Sequence, residues 1–151
     1  MSLRRKIIIA VVLTVVLTIF GGAVYIGYGI ILRIRLIPEA YAAWDSGTLL
    51  VEYMKSHGNR WPSSWDDLLS VVRSDSRDQI LFRGAQAGDT NYAASLRNKV
   101  AINWKFNPSR EAQISPVTRL DGTKFPMVWK GAEPNDMVHR YLMTSITNAP
   151  Y

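Results

Sequence analysis

His139 lies three residues after Asp136 and six after Glu133, so on a helix Asp136 and His139 share one face. An acid–base pair or two metal ligands would use that spacing, but no motif fixes a third ligand. The other histidine, His57, precedes Gly58 at a position where a cation relieves the unpaired carbonyls of a helix end. The chain has no G-x-S-x-G, no H-E-x-x-H and no phosphate-cradling glycine loop. Asp75 and Asp78 lack the glycine and terminal glutamate of a calcium loop. The sequence therefore predicts no catalytic residue, no metal site and no cofactor. A membrane-tethered enzyme or metal-binding domain using the Asp136/His139 region is the alternative.

A second constellation is apolar. In "HGNRWPSSWDDLL", Trp61, Pro62 and Trp65 follow a glycine that reads as a helix stop. Fused rings beside a proline bury a large area at a bend and fix the direction in which the chain leaves a helix. The same residues, left exposed, would make a patch for a partner or for the headgroup region of a membrane. Trp61 and Trp65 are accordingly candidate contact residues.

The elements that would position these residues begin with a hydrophobic leader. From Ile7 to Leu32 no residue carries a formal charge, and as a helix the stretch would reach roughly 39 Å, enough to cross a bilayer core with some tilt. A cleaved secretory signal competes, since Ala40-Tyr41-Ala42 offers a small-x-small site. Its apolar core, however, would ordinarily be shorter, and here Arg33 and Arg35 intervene. The segment reads as an uncleaved anchor, residues 1–35, followed by a domain over 36–151.

The net charge of +6 sits largely at that anchor: Arg4, Arg5, Lys6, Arg33 and Arg35 flank it, while all 12 acidic residues lie beyond it. Such cations meet anionic headgroups, and their placement argues for membrane lipid and against nucleic acid as partner. Three basic residues and the chain amine before the span, against two after it, favour a single-pass cell-membrane protein with its C-terminal domain outside the cytoplasm. A reversed anchor with a cytoplasmic domain is the other topology. The lack of cysteine fits either compartment. Within the span Ala10, Thr14, Thr18 and Gly22 recur every four residues, a stripe that would let another helix approach closely. A homo-oligomer or a membrane-protein partner would use it; alternatively, the hydroxyls bond back to their own helix.

Beyond the span, "IPEAYAAWDSGTLLVEYMKSHG" predicts an amphipathic helix starting near a break at Pro38, weakened by Gly47 and stopped at His57-Gly58. Ser63 and Ser64 are N-cap candidates for a short helix over 65–72, closed by "RSDSRD". A short strand is expected at 79–82, a loop at 84–91, and no assignment at 92–98. The alternation in "KVAINWKF", 99–106, predicts a strand with one buried face. Two more strands, 117–120 and 124–130, are expected to flank an Asp121-Gly122-Thr123 hairpin, with Pro126 at an edge. "DMVHRYLM" predicts a closing helix with Met137, Val138, Tyr141 and Leu142 on one side. The fold class is α+β: an N-terminal transmembrane helix, an amphipathic helix, and a small antiparallel sheet with short packing helices.

A membrane helix running into a soluble amphipathic helix, then Tyr53, Gly58, Trp61-Pro62, a Ser-led short helix with Leu68 and an antiparallel sheet, resembles the layout of type IV pilins and type II secretion pseudopilins. The resemblance covers about the first 70 residues as pattern and the rest as architecture. The family's processing signal, a glycine before an apolar residue and a glutamate five positions into the mature helix, is missing from "RRKIIIAVVLTV". What the resemblance implies is therefore a shape and a role exercised through protein contacts.

Overall fold

A computed structural model describes residues 2–74, 80–108 and 115–147 of the chain. The first helix, α1, runs over Leu3–Ser56. Contacts divide the chain into two compact units, Met1–Leu36 and Ile37–Tyr151.

The first unit is the leading part of α1. Its helix is long and apolar enough to cross a membrane. Apolar side chains point outward all round it, from Ile7 to Ile34. No second element of this unit covers them among the described residues.

The second unit begins with the remainder of α1. Helical structure continues through Pro38, where a break was expected. A proline in a helix interior lacks the N–H that would bond four residues back, and neighbouring turns carry the helix past it. The far end of α1 stops where the sequence placed it. Gly58 has φ +62°, and the Asn59 N–H donates to the Met54 carbonyl at 2.8 Å, a six-to-one bond that closes the last turn.

Helix α2, Trp65–Ser74, is capped as its sequence prescribes: the Asp67 N–H donates to Ser64 Oγ at 3.1 Å. After it come α3 (Thr90–Ser95), a 3₁₀ turn at Leu96–Asn98, β1 (Val100–Ile102), β2 (Val117–Arg119) and α4 (Pro134–Thr147). The strands pair antiparallel with Val100 opposite Arg119 and Ile102 opposite Val117. Leu49, Leu50 and Met54 of α1 meet Leu68, Leu96, Val100, Val117 and Val138 in one buried core. Each such side chain contributes about 1.5–3 kcal/mol of transfer free energy.

The sheet is smaller than the sequence predicts. In "KVAINWKF" only Val100–Ile102 is strand. Beyond it the Asn103 side chain accepts from the Lys105 N–H at 3.1 Å and turns the chain, although Phe106 still reaches the core. The Asp121-Gly122-Thr123 turn forms, with φ +79° at Gly122 and the Thr123 N–H donating to Asp121 Oδ1 at 2.9 Å. No strand follows it over 124–130; β2 pairs with β1 instead, and Pro126 could not donate to a ladder. Ile80–Phe82 is not a strand either, although Ile80 and Phe82 are buried and Leu81 faces out. Gln79, Asp75 and Asp78 lie outside the described residues.

Candidate functional site

The tryptophan corner is built from the end of α1, the cap of α2 and the turn after β1. Trp61 is half-buried; its Nε1–H donates to the Asn103 carbonyl at 2.9 Å and its ring meets Phe106 edge-on at 4.8 Å. Trp65 packs edge-on against Trp104 at 5.5 Å, and Pro62 is buried. Both rings thus spend one side on the domain's own aromatic residues.

Beside the corner, Asp67 ties α2 to α1. Oδ1 accepts from the Tyr53 hydroxyl at 2.9 Å, and Oδ2 accepts from the Ser63 N–H at 2.8 Å and the Ser63 hydroxyl at 3.0 Å. The Ser63 N–H is the main reason the Asp67 carboxyl titrates below its usual range. Burial, then Asp67, raises Tyr53 above the ordinary phenol value. The His57 ring stacks on Tyr53 at 4.0 Å and its Nδ1 lies 3.0 Å from the Tyr53 carbonyl, satisfying the helix end.

The stripe on the leading part of α1 is exposed along its length. Thr14 Oγ1 donates to the Ala10 carbonyl at 2.9 Å and Thr18 Oγ1 to the Thr14 carbonyl at 2.8 Å. These hydroxyls are therefore satisfied within the helix. Gly22 has open space where a Cβ would stand.

Asp136 and His139 are both exposed and line a shallow hollow with Gly131 and Arg140. Polar groups in and beside the hollow already have partners within the domain. Arg140 Nη2 donates to the Gly131 carbonyl at 2.6 Å, and Glu133 caps α4 by accepting from the Asp136 N–H at 2.7 Å. Among the described residues no group of three or more His, Asp or Glu side chains is placed to hold a metal ion.

The most tightly organised polar site is one the sequence reading missed. Asp45, fully buried on α1, accepts from the Arg83 N–H at 2.8 Å, the Gly84 N–H at 2.9 Å and the Tyr92 hydroxyl at 2.7 Å. Burial, then Asp45, pushes the Tyr92 phenol far above its ordinary range. A Cβ on Gly84 would stand 2.1 Å from the Tyr92 oxygen, so a side chain there would push the phenol off the carboxylate. Above it the Arg83 guanidinium lies 4.9 Å from the centre of the Trp44 ring. The available signal was Asp45 itself, spaced between Ala42 and Leu49 on the inward face of the helix. With three donors on its two oxygens it holds the loop rather than acting as a base.

Comparison with protein-family models, with curated proteins and with solved structures gave no match.

Proposed function

We propose that the chain is a single-pass membrane protein whose domain lies outside the cytoplasm and works through protein contacts, in a pilin-like layout. The observation that carries this reading is the leading part of α1, whose large apolar side chains are exposed all round, for example Ile19 at 67% and Phe20 at 71%. Water does not tolerate that surface and a bilayer does. Retention of the segment is supported by Glu39 and Tyr41. Glu39 pairs with Arg119 and Tyr41 packs on Trp129 at 5.7 Å, and cleavage after Ala42 would remove both partners from the domain. The pilin-like layout rests on the sequence of elements: a long helix closed at Gly58, the Trp61-Pro62 corner, the short capped α2 and an antiparallel strand pair. The outer sides of Trp61 and Trp65, and the Ala10/Thr14/Thr18/Gly22 stripe, are the surfaces assigned to partners.

A reporter active only outside the cytoplasm, fused after Tyr151, tests the topology, and the intact mass of carbonate-washed membrane protein tests retention. Activity together with the full-length mass is the expected result. A soluble mature chain beginning near Ala43 would sink the reading.

A further inference from the structure

The domain carries few exposed large apolar side chains among its described residues: Leu81, Leu120, Trp129 and Met143. Leu120 and Trp129 belong to loops attached to the first turns of α1 within this unit. Arg119 bonds Glu39, and Trp129 packs on Tyr41. Tyr41 follows Leu32 by only nine residues, a tether of about 30 Å even if fully drawn out. The covalent chain thus sets an upper limit on how far these loops can lie from the apolar segment.

Their charges fit a lipid surface. Arg119 is neutralised by Glu39 and by Asp121, whose Oδ2 lies 3.0 Å from Nη1. Lys124 and Lys130 are exposed, and no ion pair is formed by either among the described residues. An aromatic ring, a leucine and two free ammonium groups on adjacent loops make the composition that settles at the boundary between headgroups and acyl chains.

Resting on the anchor reading above, we propose that the loops over 119–131 form a rim that seats the domain on the bilayer holding its own span. Leu120 and Trp129 enter the headgroup layer, and Lys124 and Lys130 bind anionic phospholipid. The rim would hold the domain down against its membrane and limit the directions in which a partner can approach.

The chain has no cysteine, so single-cysteine variants of the full-length protein can carry a nitroxide at one known position. Labels at Thr18→Cys, Leu120→Cys and Met143→Cys would be compared in nanodiscs of phosphatidylcholine with phosphatidylglycerol, using a water-soluble nickel relaxant. Met143 is 58% exposed on α4, near Tyr141, which bonds Asn59 beyond the far end of α1. The expected result is strong shielding at position 18, severalfold shielding at 120 relative to 143, and loss of the shielding at 120 when Lys124→Glu and Lys130→Glu are combined.

Shielding at 18 with position 120 as accessible as 143 would overturn the rim and leave the anchor standing. Shielding at 120 that survives charge reversal, or persists in phosphatidylcholine alone, would show that Lys124 and Lys130 do not hold these loops to anionic phospholipid and overturns the rim as proposed. A label at 18 as accessible as that at 143 would remove the anchor reading and this one with it.

Discussion

Along α1, Ile19 and Phe20 keep 67% and 71% of their surface exposed, whereas Leu49 and Leu50 keep 0%. The polar groups differ just as sharply. In the leading part, the Thr14 and Thr18 hydroxyls find acceptors on their own helix. In the following part, a carboxylate is fully buried and its donors come from residues 38, 39 and 47 positions away. A helix can therefore satisfy its polar atoms from its own backbone where no other element is at hand, but Asp45 needs a folded domain around it. The first part meets its polar needs within its own helix, and the second makes its own interior.

The comparison breaks most severely at Asp45. Asp45→Ala leaves two backbone N–H groups and a phenol without acceptors, and the expected loss is about 4 kcal/mol of domain stability. Urea unfolding of the full chain in micelles, followed by near-ultraviolet circular dichroism, would measure it. A loss below about 1 kcal/mol would mean that water replaces the carboxylate and that the site is not a structural clasp.

Gly47 gives the next largest effect. A Cβ there would stand 2.9 Å from Pro134 Cα and 3.0 Å from Met137 Sδ, so α4 crosses α1 at this residue. Gly47→Val should cost about 2–3 kcal/mol through overpacking, outweighing the roughly 1 kcal/mol by which glycine weakens a helix. By contrast, Gly22→Val on the leading part meets nothing within the chain and should leave domain unfolding unchanged.

Tyr92 sharpens the comparison through pH. Its folded-state value lies above that of the free phenol, so its contribution is fully present below about pH 10 and is lost as pH rises further. Tyr92→Phe should lower stability by about 1–2 kcal/mol at neutral pH and flatten the alkaline limb of the stability curve. Asp67 has the opposite sign: its value is depressed, so its contribution is present above the unfolded carboxyl value and is lost as pH falls through the folded one. Asp67→Asn should flatten the acid limb and, by relieving the raised Tyr53 phenol, ease part of the alkaline one.

Sequence reading went furthest where structure is local. The Gly58 stop, the Ser64 cap and the apolar leader each follow from a few neighbouring residues, and each is found at its expected place. The strands were over-read because alternation reports which side chains face inward and not whether a ladder partner exists. Ile80 and Phe82 face the core, yet the backbone beyond them donates to Asp45 instead of to a strand. Gly47 read as a weak point because close approach by α4, far along the chain, leaves no local trace. The corner was legible as a bend, and the Asn103, Trp104 and Phe106 partners that fix it were not.

The smallest effect is expected on the leading part. Replacing Thr14 and Thr18 together by valine removes two hydroxyls that bond only backwards to the Ala10 and Thr14 carbonyls, which already accept from the helix's own N–H groups. Domain stability should change by less than about 0.5 kcal/mol, because nothing in the folded unit depends on these atoms. Self-association is the discriminating measurement, by energy transfer between labelled copies in nanodiscs of controlled occupancy. If the stripe is a packing surface, the branched side chains hold the backbones apart and the association weakens several-fold. Unchanged association would leave the hydroxyls as internal satisfiers of a helix that meets only lipid, and would move the search for partners to the corner at Trp61 and Trp65.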